Sequence, residues 1–318
     1  MAVEGRQFYF VGGGYAALAG AALLLREYGA AGGRIHVLPH RGAPCAPALL
    51  PLHEALEAAG VRFHPGAAAG LSLEEGEGLT VTAVHYSAPR EEGYLQLHEG
   101  DFCFWTCGSP ADCAASGSLR APAPFRADDP PSFSLWARIA AARPGLGSPA
   151  PFLADPGRSA RIRFTAAFRG APPVLGPLPR TLPGSPWALA LRPPRPAPAG
   201  EGAEFTLEGW VGRVDRPGAL VAKPALACTG AELLREALFC LGAEALRPAL
   251  LDAAFSLLPY AGARALPHAP GDLPAPVPPG SENLAVIGLF SDLGRPALHP
   301  AQYAAASART AVRLLMEK

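Results

Sequence analysis

Three consecutive glycines, Gly12-Gly13-Gly14, constrain the fold more than any other part of the sequence. They follow a short apolar and aromatic run, Gln7–Val11, which is typical of a strand buried on both faces. They precede Tyr15–Tyr28, an alanine- and leucine-rich segment that Gly29 closes, as expected for a tightly packed helix. Arg34–Leu38 is then predicted to form a second strand. The order strand, glycine turn, helix, strand predicts the opening of a doubly wound α/β sheet.

The spacing of these glycines suits a dinucleotide. Gly12-x-Gly14-x-x-Ala17 provides a turn residue without a side chain and a backbone that a pyrophosphate can approach closely. The N-terminus of the following helix would offer free N–H groups and the positive end of its dipole to the phosphates. Gly20, one turn further on, favours close packing of the helix against the sheet. A glycine-rich turn without a ligand is the alternative interpretation.

An acidic residue that dinucleotide sites carry about 20 residues after the glycines is missing. Pro39 and His40 stand there, and no carboxylate occurs between Glu27 and Glu54. The ribose must therefore be held by another group, or the nucleotide is bound weakly. His40 could donate a hydrogen bond to the ribose, although a histidine on an exposed loop is the commoner explanation.

The next part of the chain continues the pattern of helices and strands. Pro51–Gly60 has apolar residues at helical spacing, and Val61–His64 follows as a short strand. Three strand candidates then predict a small meander that feeds back to the main sheet: Leu79–Ser87, Tyr94–His98 and Asp101–Thr106.

The middle of the chain, about residues 120–279, holds much of its 37 prolines. A disordered linker is one interpretation. Three strand-like runs interrupt the prolines and favour a second, substrate-binding domain with long loops: Arg161–Phe168, Trp187–Leu191 and Phe205–Val214. Helices are predicted at Ala231–Leu241 and Ala243–Leu258.

The C-terminal segment returns to the first pattern. Asn283–Gly288 is predicted to be another buried strand that meets a glycine, and Gln302–Met316 an alanine-rich helix. We therefore expect a nucleotide domain assembled from residues 1–118 and 280–318, with a mixed α+β substrate-binding domain at residues 119–279 between them.

Composition argues against several classes of function. Lys plus Arg and Asp plus Glu are 27 each, so no basic field attracts nucleic acid or an anionic membrane. The apolar run Ala16–Leu25 is well short of the roughly 20 residues that span a bilayer. The N-terminus also lacks the features of a signal peptide, and we expect a cytoplasmic protein.

The cysteines do not suggest a disulfide scaffold or a metal centre. The chain has six, which are too few and too scattered for a secreted disulfide framework. Cys103, Cys107 and Cys113 form a cluster, but no CxxC pair occurs in it. We expect reduced and mostly buried thiols and no metal.

A long pattern late in the chain resembles the oleate hydratase family, also called the myosin-cross-reactive antigens. The pattern runs, in order and spacing, through Lys223-Pro224, Cys228-Thr229-Gly230, Glu232, Leu241-Gly242, Pro259-Tyr260, Pro267, Gly271-Asp272, Pro274, Val277-Pro278, Gly280-Ser281, Asn283 and Ile287-Gly288-Leu289-Phe290. Upstream, Thr106-Cys107-Gly108-Ser109 is similar to the family's Thr-Asn-Gly-Ser turn. The resemblance covers nearly the whole chain.

This resemblance implies a fold, a cofactor and a substrate. The fold would be a doubly wound, FAD-binding, glutathione-reductase-like Rossmann domain with a β-meander and a second domain. The reaction would be the hydration of an unsaturated fatty acid, a carbon–oxygen lyase activity in which FAD acts without net redox change. The family tends to dimerise, so a homodimer is one expectation, and peripheral membrane contact is left open. The residues expected to meet FAD are Gly12, Gly14, Ala17, Thr106, Gly108, Ser109, Gly288, Leu289 and Phe290.

Two departures from the family concern catalysis. Between His40 and Leu49 the family carries a long segment with a water-activating glutamate, of which only Arg41-Gly42 remains. Ser116 stands where the family has a tyrosine thought to protonate the double bond. Adding water to an isolated alkene needs a proton donor and an activated water, and a serine hydroxyl is a far weaker acid than a tyrosine hydroxyl.

Other residues could take these roles. Tyr260 is a candidate proton donor, and Glu54 or Asp292 a candidate carboxylate. Each also has a structural interpretation. Tyr260 could be a packed aromatic with a satisfied hydroxyl. Glu54 could lie on a solvated helix face, and Asp292 could cap a turn. The leading hypothesis is a compact FAD-dependent fatty acid hydratase. The alternatives are a non-catalytic relative that binds FAD or an acyl chain as a partner subunit or sensor, and a flavin oxidoreductase.

Overall fold

A computed structural model describes residues 5–40, 49–74, 78–128, 130–172, 180–182, 184–197, 202–297 and 299–317. Cys45 and the Arg41-Gly42 pair lie outside these residues. The α-helices of the described residues are α1 (Tyr15–Glu27), α2 (Leu50–Ala58), α3 (Pro131–Ala142), α4 (Ala150–Leu153), α5 (Pro156–Ser159), α6 (Gly230–Leu241) and α7 (Pro300–Met316).

The strands of the described residues are β1 (Phe8–Val11), β2 (Ile35–Leu38), β3 (Arg62–Phe63), β4 (Ala67–Leu73), β5 (Val81–Ala88), β6 (Glu91–Gln96), β7 (Phe102–Thr106), β8 (Ala115–Ser118), β9 (Arg161–Phe168), β10 (Arg180–Thr181), β11 (Leu189–Leu191), β12 (Arg195–Pro196), β13 (Phe205–Val211), β14 (Leu250–Leu258) and β15 (Leu284–Ile287). None of the helices in this part of the chain combines the length and the apolar character needed to cross a bilayer.

The backbone divides into two compact units. The first unit comprises Met1–Asp112, Asp129–Pro151 and Pro267–Lys318, and the second comprises Cys113–Asp128 and Phe152–Leu266. This division shows which residues form each compact unit, and it does not assign a function to either unit. Substrate binding by residues 119–279 stays a prediction.

The first unit contains a five-stranded parallel sheet with the order β15-β7-β1-β2-β3. Strands β1, β2, β7 and β15 are buried along their whole length, as their largely apolar sequences predict, although β2 contains His36. The strand β15 from the end of the chain lies beside β7, so the predicted assembly of this α/β sheet from both ends of the sequence is confirmed.

Helices α1 and α7 pack against one face of this sheet. Gly20 of α1 allows the close approach, because a Cβ built there would lie 2.5 Å from Cε1 of Phe10 and 3.6 Å from Cβ of Ala308. The core they share includes Phe8, Phe104 and Leu315. Each such large apolar side chain contributes about 1.5–3 kcal/mol on burial. The packing role predicted for Gly20 is confirmed.

A three-stranded antiparallel sheet, β4-β5-β6, forms the meander of the first unit. The prediction was wrong about its membership. Asp101–Thr106 was assigned to the meander, but its strand β7 lies in the parallel sheet, because Phe-Cys-Phe-Trp is apolar on both faces. The third strand of the meander is instead β4, which the sequence did not reveal because its alanines and glycine have weak strand preference.

The second unit is built on a seven-stranded sheet with the path β10-β11-β13-β9-β14-β8 and β12 paired to β13. The predicted helix Ala243–Leu258 is wrong. A short 3-10 helix, Glu244–Ala249, contains Pro248 and gives way to strand β14. Within β14 the side chains of Ala253, Phe255 and Leu257 are buried alternately, which is the period of a strand.

Candidate functional site

The carboxyl ends of the parallel strands meet at one edge of the sheet, where ligands of such sheets bind. Gly12 follows β1, Thr106 ends β7 and Gly288 follows β15. A Cβ on Gly12 would lie 2.7 Å from Thr106 Oγ1, and one on Gly288 would lie 3.0 Å from Thr106 Cγ2. Both glycines have positive φ, +119° and +102°. These three predicted residues are therefore neighbours, and the fold itself requires both glycines.

Gly14 differs from these glycines because the described part of the fold does not require it. It is the N-cap of α1, with φ −86° and ψ −174°, which any residue can adopt. A Cβ built on it would meet no described atom within 4 Å. No side chain caps the helix at this residue, so the N–H groups of the first turn of α1 are left for another acceptor. A ligand that approaches the backbone would account for a glycine here.

His40 is buried, with 5% of its surface exposed, so the expectation of an exposed loop histidine is wrong. Its Nε2 lies 2.8 Å from the carbonyl oxygen of Thr106. Because a carbonyl only accepts, Nε2 carries the hydrogen and donates it. Burial lowers the pKa of His40 below its usual value, although the charge of Asp112 and the Thr106 bond act in the opposite direction. The ring is therefore neutral near pH 7, and Nδ1 is an unprotonated acceptor.

Two buried polar atoms at this edge lack partners. Nδ1 of His40 and Oγ1 of Thr106 have no hydrogen-bond partner among the described residues. A buried polar group left unsatisfied costs about 1–3 kcal/mol. A polar ligand at this edge would remove part of that cost.

The other predicted cofactor residues are engaged by the protein. A Cβ on Gly108 would lie 2.9 Å from Phe290 Cδ2, and the N–H of Ser109 donates to Ser132 Oγ at 2.6 Å. The ring of Phe290 is fully buried and packs edge-on against Phe133, with centroids 5.1 Å apart. Ala17 is also fully buried, within the core beneath α1, and Leu289 is 9% exposed. Their contact with a cofactor stays a prediction.

Helix α3, which the sequence analysis missed, supports this region. Asp112 is buried, and its carboxylate accepts the N–H of Ser132 in the first turn of α3 at 2.9 Å. A carboxylate is favourable there because the helix dipole is positive at its N-terminus. The signal was present, since a proline at the first helical position, Pro131, is followed by buried Phe133 and Trp136 at helical spacing.

A cavity of about 630 Å³ lies between β4 and α3. Its lining combines apolar side chains with two arginines: Leu71, Leu73, Leu135, Ile139, Arg138 and Arg143. The guanidinium of Arg138 donates to the carbonyl of Ala69 at 2.6 Å, and that of Arg143 donates to the carbonyl of Glu74. None of the predicted cofactor residues lines this cavity.

Tyr260, the candidate proton donor, has a structural role in the second unit. It is 2% exposed, and its hydroxyl donates to the carbonyl of Ala127. Burial, followed by the charges of Cys113 and Asp128, raises the pKa of Tyr260 to about 12. A hydroxyl with this pKa is a weaker acid than that of an ordinary tyrosine, and its bond to Ala127 fits the alternative of a packed aromatic with a satisfied hydroxyl.

Glu54 and Asp292 also occupy the structural places that their alternatives predicted. Glu54 lies exposed on α2, and Asp292 accepts the N–H of Gly294 at 2.9 Å in a turn after β15. Helix α2 leads into β3 at one edge of the sheet, whereas β15 is the other edge, and four strand spacings separate these edges by about 19 Å. Ser116 is an exposed residue of β8, paired with Ser256. Whether either carboxylate takes part in catalysis stays a prediction.

A polar cluster on the parallel sheet was not predicted. Tyr9, His36 and Arg62 lie in one register across β1, β2 and β3. His36 Nδ1 lies 2.9 Å from His64 Nε2, and His36 Nε2 lies 3.2 Å from Gln7 Oε1. Burial, followed by the charges of His64 and Arg62, lowers the pKa of His36 to about 4. A histidine in the middle of an apolar strand was the available signal.

The cysteines of the described residues form no disulfide with one another. Cys103, Cys107 and Cys113 are buried, and burial raises the pKa of Cys103 above its usual value. Among the residues that the structure describes, no three His, Cys, Asp or Glu side chains are grouped so that they could hold a metal ion.

Comparisons with solved structures give distant likenesses. The chain is similar to the flavin-dependent brominase Bmp2, at 10% identity and a TM-score of 0.46, over 98% of this chain and 80% of that one. It is also similar to BrvH, a flavin-dependent halogenase from Brevundimonas sp. BAL3, at 12% identity and a TM-score of 0.46, over 98% and 71% of the two chains. Likenesses this weak decide neither the fold nor the activity.

Comparisons of the sequence are more decisive. No curated protein matches the chain. The model of the MCRA family matches residues 47–174 and 182–313, well over half of the sequence, and these ranges contain the late pattern and the Thr106–Ser109 turn. The chain belongs to the MCRA family, that is, the myosin-cross-reactive antigen or oleate hydratase family.

Proposed function

We propose that this chain binds FAD at the carboxyl edge of its parallel sheet and adds water to the double bond of an unsaturated fatty acid. The observation that carries the cofactor assignment is Gly14, a glycine for which the described part of the fold has no packing or conformational need. Membership in the MCRA family supports the reaction.

The residues at this edge fit the polar half of FAD. The open face of Gly14 and the uncapped first turn of α1 would hold the phosphates, which a helix N-terminus favours. The turns at Thr106 and Gly288 would lie beside the flavin end of the cofactor. Thr106 Oγ1 is a buried hydroxyl without a hydrogen-bond partner among the described residues. When bound, FAD would supply structure and local electrostatics rather than a net redox change, as the family resemblance implies.

The cavity between β4 and α3 supports a fatty acid as the ligand. Leu71, Leu135 and Ile139 offer apolar surface to an acyl chain, while the guanidinium groups of Arg138 and Arg143 can pair with a carboxylate. Each guanidinium has five N–H donors, so the bonds to the carbonyls of Ala69 and Glu74 leave donors for a ligand.

Hydration makes two demands on the protein. A proton adds to one alkene carbon and the oxygen of water bonds to the other, while that water releases a proton to a base. Tyr260 is buried with its hydroxyl bonded to Ala127, and Glu54, Asp292 and Ser116 are exposed. This observation favours a second candidate function, a non-catalytic relative that binds FAD and a fatty acid.

Incubation of the FAD-loaded protein with oleate separates the two functions. Product analysis by mass spectrometry should detect a hydroxy fatty acid whose mass exceeds that of oleate by one water, above a control without protein. Oleate binding without product would support the non-catalytic function. A chain that binds neither FAD nor oleate would contradict both.

A further inference from the structure

Other dinucleotide sites carry a carboxylate about 20 residues after the glycines. That carboxylate accepts a hydrogen bond from a ribose hydroxyl. Pro39 cannot replace it, since it has no side-chain acceptor and packs against the turn, 3.1 Å from the place of a Cβ on Gly13. His40 is the next residue, and it brings a polar ring to the same turn, with Nε2 3.2 Å from the place of a Cβ on Gly12.

The two ring nitrogens of His40 differ in whether they can bind a ligand. Nε2 is committed as a donor to the carbonyl of Thr106. Nδ1 is then the acceptor of a neutral ring, and it has no partner among the described residues although the side chain is 95% buried. The charged group that faces His40 in this part of the structure is Asp112, and its carboxylate already accepts the N–H of Ser132.

Nδ1 of His40 can bind only a ligand group that donates a hydrogen bond. An unprotonated Nδ1 has a lone pair and no hydrogen, so it cannot bind a phosphate oxygen, which is also an acceptor. It can accept from a hydroxyl. The hydroxyls of the adenosine ribose are the donors that lie beside the pyrophosphate in a dinucleotide, and they are what the missing carboxylate would have bound.

We infer that His40 replaces the missing carboxylate, and that its Nδ1 accepts a hydrogen bond from the 2′-hydroxyl of the adenosine ribose of FAD. This inference rests on the proposed binding of FAD. It makes the site specific for a ribose-containing dinucleotide without placing a negative charge beside the phosphates.

Titration calorimetry with flavin-free protein tests the inference. Three ligands are compared: FAD, FAD that lacks the adenosine 2′-hydroxyl, and FMN, which lacks the adenosine altogether. Three proteins are compared: wild type, His40→Phe and His40→Gln. The glutamine amide can donate to Thr106 and still accept from a hydroxyl, whereas phenylalanine can do neither. Melting temperatures without ligand report whether each variant is folded.

The inference predicts that wild type binds FAD about tenfold more tightly than the deoxy analogue, and that His40→Phe binds both equally and weakly. His40→Gln should stay within about threefold of wild type for FAD, and FMN affinity should be the same in all three proteins. An undiminished preference for FAD over the deoxy analogue in His40→Phe would overturn the inference. Wild type that binds no FAD at all would overturn the proposed function with it.

A measurement on wild type alone covers the case in which the variants do not fold. FAD titrations at pH 7.5 in two buffers of different ionisation enthalpy give the number of protons taken up on binding. The inference predicts no uptake, because a neutral His40 stays neutral. Uptake of one proton would mean that an imidazolium pairs with a phosphate, and that result would overturn it.

Discussion

Protonation of His36 should destabilise the fold in mild acid. The amide oxygen of Gln7 can only accept, so His36 Nε2 is the donor and His36 Nδ1 accepts from His64 Nε2. Protonating Nδ1 removes that acceptor. The ring is also stacked on Tyr9, with centroids 4.8 Å apart, and only 7% of the residue is exposed.

The magnitude follows from the pKa of His36, which falls from 6.5 to about 4 on folding. At about 1.36 kcal/mol per pH unit, this difference corresponds to roughly 3 kcal/mol. The sign follows because the folded pKa is the lower one. Between pH 6.5 and 4 the unfolded chain binds more protons, so the free energy of unfolding decreases as the pH falls through this window. Above pH 6.5 there is no effect, and at pH 4.5 most of it, about 2.5 kcal/mol, is reached.

Urea unfolding at pH 7.5 and pH 4.5 measures this effect in wild type and in His36→Phe. Phenylalanine keeps the ring but cannot be protonated. The loss of unfolding free energy between the two pH values should shrink by about 2.5 kcal/mol in His36→Phe. An equal loss in wild type and His36→Phe would refute the reasoning.

Three further predictions concern packing and binding. Gly20→Ala should lower the free energy of unfolding by about 1 kcal/mol in urea titrations, because overpacking against Phe10 outweighs the better helix propensity; an unchanged midpoint would contradict the packing role. Tyr260→Phe should cost about 1 kcal/mol through the lost bond to Ala127 and leave the rate of oleate hydration unchanged in product assays; loss of that activity in folded protein would restore Tyr260 as the donor. Arg138→Gln should weaken oleate binding about tenfold by calorimetry, whereas the control Arg309→Gln, on the exposed face of α7, should not. Equal oleate affinities of wild type and Arg138→Gln would argue against the cavity as the acyl site.

The parallel sheet could be predicted because its strands carry their own signal. Three of them, β1, β7 and β15, are apolar on both faces, and β2 is interrupted only by His36, so all four could be found as strands from the local pattern. The membership of β7 in this sheet could not, because pairing is decided by distant residues. The family could be recognised because its pattern is long and ordered, and the match to the MCRA family confirms that recognition.

The errors arose where tertiary structure overrides local preference. Leu250–Leu258 is rich in leucine and alanine, which favour helices, yet it forms strand β14 because β9 and β8 pair with it on both sides. Strand β4 depends in the same way on its neighbour β5. In both segments the deciding interactions come from residues far away in the sequence.

The site was only partly predictable for a related reason. The neighbouring turns at Gly12, Thr106 and Gly288 follow from strand order, which sequence patterns can suggest. The burial of His40 and the engagement of Tyr260 depend on atoms of other elements, namely the carbonyls of Thr106 and Ala127. A sequence identifies such side chains as candidates, and their partners decide what each can do.

The most direct test of the central claim is an equilibrium titration of flavin-free protein with FAD, followed by the change in flavin absorbance, for wild type, Gly14→Val and Gly33→Val. Gly33 is the matched control, because a Cβ there would meet only ordinary contacts with Arg62 and it lies before β2, at the amino edge of the sheet. Wild type and Gly33→Val should bind FAD equally, while Gly14→Val, which should stay folded although valine is a poorer N-cap than glycine, should bind at least tenfold more weakly, a difference of about 1.4 kcal/mol. FAD binding that is unaffected by Gly14→Val, or absent from wild type, would contradict the account.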